Sequence, residues 1–159
     1  MVSQIFDASI VGRFQPFHNG HLKAVLSILE NESTLLIIVG SSQESATDKN
    51  PFDYETRERM IIETLNLENV DLNRVQVVPL PDIHDDTKWV QYLIDSVPNF
   101  KVMYTGSDET KNLFLQYSDI PVKRVEFLDG VSGTLVRQKM QSGESVEMLI
   151  PNSVYHLLD

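Results

Sequence analysis

Leu35–Val39 reads Leu-Leu-Ile-Ile-Val, an apolar run with no polar alternation. A strand of that kind must be covered on both faces, which is the situation of a central strand in a parallel sheet. Ile5–Val11, Val75–Pro79, Lys101–Tyr104 and Val122–Phe127 read as companion strands. Helical patterns separate them. In His21–Leu29, the residues Leu22, Val25, Leu26 and Leu29 fall on one buried stripe at the i, i+3, i+4, i+7 spacing. Tyr54–Leu65 repeats this with Met60, Ile61 and Leu65, and Trp89–Val97 and Glu109–Tyr117 are shorter versions. A further helix runs from Gly133 through Met140, and a last one ends near Leu158. Such alternation predicts a doubly wound α/β sheet of about five strands, with residues 1–159 as a single domain. Sheets of this class bind ligands in the loops that follow the strands. Functional residues are therefore sought in those loops.

Composition narrows what the ligand is. Thirteen Lys+Arg against 23 Asp+Glu give the 159-residue chain a formal charge of −10. A nucleic-acid-binding surface wants the opposite sign, as does docking to an anionic membrane. An anionic small ligand remains compatible if the few cations converge on one place. The chain has no Cys, which removes disulfides, thiolate nucleophiles and Cys-based metal sites. No apolar run approaches the roughly 18 residues of a membrane span. Met1 to Ile10 lack the basic stretch of a secretory signal, so a cytoplasmic protein is expected.

The loop after the first strand reads Gly12-Arg13-Phe14-Gln15-Pro16-Phe17-His18-Asn19-Gly20-His21. If Asn19 or Gly20 opens the helix, His21 lies in its first turn and His18 just before it, on the same side. A helix N-terminus offers free N–H groups and partial positive charge to phosphate. Imidazoles there add donors, Gly12 permits close backbone approach, and Arg13 adds a planar cation. Neither the dinucleotide pattern G-x-G-x-x-G nor the P-loop pattern G-x-x-x-x-G-K-[ST] is present.

This run resembles the H-x-G-H loop of the nucleotidylyltransferase superfamily. Its wording is similar to the G-R-F-Q-P-F-H-x-G-H form of archaeal-type nicotinamide-mononucleotide adenylyltransferases. That resemblance implies a Rossmann-like parallel sheet. It also implies the joining of nicotinamide mononucleotide (NMN) to the AMP part of ATP, giving NAD and pyrophosphate. Val131-Ser132-Gly133-Thr134-Leu135-Val136-Arg137 is similar to the superfamily's late I-S-x-T-x-x-R element. Ser132 or Thr134 can cap a helix whose first N–H groups face the ligand, with Arg137 about one turn inside. The family's G-S-x loop is matched by Gly40-Ser41-Ser42-Gln43, and its basic residue before N-P-F by Lys49-Asn50-Pro51-Phe52. The resemblance puts Lys49 on the triphosphate, with Gly40, Ser41, Asn50 and Pro51 beside the mononucleotide. Arg57, on the following helix, is open between a solvated face and a functional cation.

By the same resemblance, Asp82 and Trp89 contact the mononucleotide, Asp82 through ribose or carboxamide and Trp89 by stacking on the pyridine. Asp86 stands where relatives often have Asn, and a carboxylate can only accept a hydrogen bond. The acidic loop Asp82, His84, Asp85, Asp86 has metal-ligand chemistry but reads as solvated, so no protein metal site is assigned. Gly106 and Asp108 would approach the adenosine ribose, Asp108 being open between a hydroxyl acceptor and a helix cap. The implied ATP set is Gly12, Arg13, Phe14, His18, His21, Gly106, Asp108, Ser132, Gly133, Thr134 and Arg137. Phe14 is also assigned to the mononucleotide. Arg13, His18, His21, Lys49 and Arg137 are the implied catalytic group, acting by position and charge without an enzyme nucleophile. Mg²⁺ would bridge the ATP phosphates, keeping several waters. Alternatives are a sister transferase acting on nicotinate mononucleotide, phosphopantetheine or FMN, and a nucleotide sensor without turnover. Some relatives carry a fused hydrolase domain, for which this length leaves no room. Whether the protein forms a homo-oligomer stays open, and His84 and His156 are taken as surface residues.

Overall fold

The computed structural model describes residues 4–158. Five strands alternate with helices: β1 (Ala8–Gly12), α1 (Asn19–Asn31), β2 (Leu35–Gly40), α2 (Tyr54–Leu67), β3 (Val75–Leu80), α3 (Asp86–Ser96), β4 (Met103–Thr105), α4 (Asp108–Tyr117), β5 (Val122–Arg124), α5 (Gly133–Gln141) and α6 (Asn152–Tyr155). All strand pairs are parallel and the order is β3-β2-β1-β4-β5. The order reverses between β1 and β4, and a crevice opens outside the carboxyl ends of the strands at such a switch point. The loop after β1 borders that crevice.

Strand β2 has every side chain from Leu35 to Val39 out of solvent. Leu35, Ile37 and Val39 join a core with α1 and α2, which adds Val25, Ile28, Met60 and Ile61. Leu36 and Ile38 join a second core on the opposite face with α3 and α4, which adds Val90, Leu93 and Phe114. The two-residue period thus divides one apolar run between two layers. The expected doubly wound, Rossmann-like sheet is what forms.

The fourth strand begins at Met103 instead of Lys101, the first four strands each end one residue later than read, and two boundaries move by three residues. The first strand begins at Ala8, because Phe6 pairs separately with Phe100 in an isolated parallel bridge. The fifth ends at Arg124 rather than Phe127. Val125 still bonds Thr105 through its N–H, but Phe127 then turns over the end of β4.

Candidate active site

Helix α1 begins at Asn19, and its cap is built from two histidines. His18 is the N-cap, and its Nδ1 accepts the backbone N–H groups of Gly20 (3.1 Å) and His21 (3.3 Å). In return His21 Nδ1 accepts the backbone N–H of His18 at 3.2 Å. This is a capping box with imidazole in both roles. Acceptance at Nδ1 puts the proton of each neutral ring on Nε2, so each ring keeps one N–H free of the cap. The rings stack with centroids 3.6 Å apart. Phe14 meets His21 edge-on at 4.7 Å and Phe17 lies parallel to it at 5.7 Å.

Electrostatics keep both rings neutral. Burial lowers His18 to a pKa of about 4, with the positive charge of Arg137 adding to the shift. Burial also pushes His21 well below its ordinary value, and His18 contributes further. The consequence for stability has a definite sign. Above pH 6.5 neither folded nor unfolded His18 binds the proton. As pH falls from 6.5 toward 4, only the unfolded chain binds it, so stability drops, and the loss levels off below about 4. For His18 the loss approaches about 3 kcal/mol at 1.36 kcal/mol per pKa unit. Denaturant unfolding across this range should show that loss in the wild type. It should shrink in His18→Asn, whose amide oxygen can cap without titrating. An unchanged acid dependence would contradict the assignment.

The second helix start is α5. Ser132 is its N-cap, and its Oγ accepts the N–H of Leu135 at 3.1 Å. Arg137 reaches back across the cleft and donates from NH1 to the Gln15 carbonyl at 3.0 Å. Its NH2 donates to Thr134 Oγ1 at 3.3 Å. A Cβ on Gly133 would stand 2.8 Å from Arg137 NH1, so glycine leaves room for the guanidinium. Burial, and next repulsion from Arg13, lower the Arg137 pKa. Arg13, Lys49, Thr134 and Arg137 line one cavity of about 310 Å³. His21, Gly133 and Arg13 line a smaller one beside it, of about 160 Å³. Cations and donors that lie as far apart in the sequence as Arg13 and Arg137 therefore converge on adjoining cavities.

A larger cleft of about 600 Å³ adjoins through Arg13. Gly12, assigned to ATP, lines it together with Gly40, Ser41, Asp82, Asp86 and Trp89 from the mononucleotide set. Ser41 takes a positive φ of 48° and donates from Oγ to Asp82 at 2.7 Å, joining the ends of β2 and β3. Trp89 is half-buried and stands edge-on to Phe114 at 6.0 Å, so the single tryptophan serves the core and the cleft together. Glu44, Asp82 and His84 bring three ligand-type atoms within 4.8 Å of one another, in a grouping different from the acidic loop itself.

Several assigned residues sit elsewhere. Phe14 has its side chain in the core, 1% exposed, where it meets His21 edge-on, and the residue borders the smaller cavity beside Arg13 and Arg137. Asn50 and Pro51 do not line the large cleft: they turn the 41–53 loop and deliver Phe52 to Gln15. Gln15 bonds both the N–H and the carbonyl of Phe52, each at 2.9 Å. Asp108 is neither cap nor part of the main cleft. Ser107 caps α4, and Asp108 pairs with Arg124 at 3.4 Å beside a separate small cavity. Gly106 is covered by Phe127, whose ring occupies the space where a Cβ would be. Arg57 is not on a solvated face at all. It is fully buried and donates to backbone carbonyls of the loops after β1 and β2. Gln15 and Phe127 are the residues shaping this region that sequence reasoning missed, whereas Arg57 had been left open between a solvated face and a functional cation.

Comparison with known proteins agrees with this geometry. The cytidylyltransferase-like family model matches residues 9–139, which run from β1 to α5. A nicotinamide-nucleotide adenylyltransferase of Thermococcus kodakarensis is 38% identical over 145 residues, covering 91% of this chain and 77% of that protein. One of Pyrococcus horikoshii is 39% identical over the same shares, and one of Methanococcus maripaludis 35% identical over 96% and 88%. Among solved structures, a bifunctional NMN adenylyltransferase/ADP ribose pyrophosphatase of Francisella tularensis, complexed with AMP and a manganese ion, superposes with a TM-score of 0.71 at 25% identity. The match covers 97% of this chain and 52% of that one, so the chain spans about half of the bifunctional protein. With a family model matched over most of its length and identity at this level to curated relatives, the chain belongs to the cytidylyltransferase-like family, among the nicotinamide-nucleotide adenylyltransferases.

Proposed function

We propose that the protein transfers the AMP moiety of ATP to NMN, forming NAD and pyrophosphate. The observation that carries this reading is the meeting of two compartments at Arg13: a cationic cradle and a larger cleft with an aromatic wall. ATP enters as its Mg²⁺ complex, with the metal belonging to the substrate. A phosphate oxygen of NMN attacks the α-phosphorus of ATP, the bond from that phosphorus to the bridging oxygen of the β-phosphate breaks, and pyrophosphate leaves in line. No side chain becomes covalently attached. The work falls to donors aimed at the oxygens on which charge builds. The Nε2–H groups of His18 and His21 serve the α-phosphate, because the first N–H groups of α1 are already taken by the His18 ring, the His18 carbonyl and the Leu149 carbonyl. Arg13, Lys49, Thr134 and Arg137 serve the leaving pyrophosphate.

Trp89 is assigned to the pyridine ring. Stacking of a base on an aromatic side chain is worth about 1–3 kcal/mol by alanine substitution, or about 5- to 150-fold in affinity. Trp89→Ala should raise KM for NMN by a factor in that range, with KM for ATP unchanged. Trp89→Phe keeps the edge-on contact with Phe114 and should lose less. Equal effects on both KM values would remove Trp89 from the pyridine site. The acceptor itself is tested by pyrophosphate release with ATP and, in turn, NMN, nicotinate mononucleotide, phosphopantetheine and FMN. NMN should dominate by tenfold or more. Release with a different acceptor alone would assign the protein to a sister reaction.

A further inference from the structure

Arg57 is the largest of the fully buried side chains among the described residues. It sits one turn into α2, and no carboxylate forms a salt bridge with it there. Its five N–H groups go to main-chain carbonyls instead. Nε donates to Asp53 at 3.2 Å. NH1 divides its two protons between Arg13 O at 3.0 Å and Gly40 O at 2.9 Å. NH2 serves Ser41 O at 3.1 Å, Glu44 O at 3.4 Å and Ser42 O at 3.5 Å. One nitrogen thus bridges the ends of β1 and β2. Those ends carry different halves of the site. Arg13 belongs to the phosphate cradle, whereas Gly40 and Ser41 wall the larger cleft and Ser41 holds Asp82.

The geometry points to Arg57 as a positioning residue that sets the distance between the two bound substrates, an inference that rests on the adenylyl-transfer reading above. Each half is assembled largely by its own contacts: the cradle by the histidine capping box and Arg137, the cleft by Ser41–Asp82 and Trp89. Arg57 ties one to the other. In-line attack requires the acceptor oxygen and the α-phosphorus to meet within a narrow range, and a misplacement of about 1 Å can cost about 10²-fold in rate. A lysine at this place keeps the charge but has a single nitrogen, which cannot hold two loops in fixed register.

The test is Arg57→Lys in the full chain, assayed below its melting transition. Turnover is expressed per NAD-binding site counted by calorimetry, so that a smaller folded fraction does not imitate a slower enzyme. The expected result is a fall of about 10²-fold in kcat per site, with KM for ATP and KM for NMN each within about threefold of wild type. Arg59→Lys, on the exposed face of the same helix, serves as control and should match wild type. Three results would overturn the inference: kcat per site within threefold of wild type, a loss confined to KM, or a variant that binds neither nucleotide. The last would make Arg57 a scaffold of each half instead of the link between them. Wild-type protein that forms no NAD would sink the reading on which the inference rests, independently of Arg57.

Discussion

His21→Ala should lower kcat by about 10²- to 10³-fold, the range expected when one preorganised donor to a developing oxyanion is removed. The effect is large because this imidazole is fixed three ways. Its Nδ1 is committed to the N–H of His18, its ring lies against His18 and Phe17, and Phe14 closes its edge. The free Nε2–H therefore costs little to orient when charge appears. Loss of half the capping box adds a stability cost of about 1 kcal/mol, small beside the catalytic term. His21→Asn separates the two. Its side-chain oxygen can still accept the N-cap N–H, so stability should recover while kcat stays low. Thermal melts and steady-state kinetics on both variants check this, and near-wild-type turnover in His21→Ala would remove His21 from the site.

Arg137→Ala is expected to have the second large effect, a loss of about 10²-fold or more in kcat/KM for ATP. This side chain lines the cationic cavities and also ties α5 to the loop after β1 through Gln15 O. Removing it withdraws a cation from the cradle and loosens one wall of it. Arg137→Lys should recover part of the loss, because a point charge replaces the cation but cannot also hold Gln15 and Thr134. A second readout is specific to the geometry. The charge of Arg137 is one cause of the low His18 pKa, so His18 should titrate closer to its ordinary value in Arg137→Ala. An NMR titration of the histidine rings in both proteins would show it. An unmoved His18 would mean the two groups do not face each other as described.

The parts of this site that were legible in the sequence are those written in consecutive residues. The helix start near Asn19 and the Ser132 cap were legible from local spacing, whereas the imidazole capping box of His18 and His21 was not. Strand positions were legible for the same reason, since an apolar run such as Leu35–Val39 has few other places to go. Contacts between distant segments were not. Gln15 meets Phe52 and Arg137, and nothing in its neighbourhood announces partners 37 and 122 residues away. Asn50 and Pro51 were assigned to the ligand by resemblance to the family, and in the structure they turn the loop that brings Phe52 to Gln15. Phe127 was read as the end of a strand from its apolar character, and tertiary packing over Gly106 overrode that reading. Arg57 did carry a signal. It stands at the i, i+3, i+4, i+7, i+8 positions with Met60, Ile61, Thr64 and Leu65, all buried. A cation on an apolar stripe must either interrupt the core or be satisfied within it. The carbonyl ends of β1 and β2 satisfy this one.

The most direct test of the account is NAD formation. Wild-type protein is given ATP, Mg²⁺ and NMN, with NAD read through an added dehydrogenase and pyrophosphate measured in the same samples. The account predicts that NAD and pyrophosphate appear one for one, and that omitting either nucleotide abolishes both. Bound ATP with no NAD formed would contradict it, leaving a phosphate cradle that holds nucleotide without turnover.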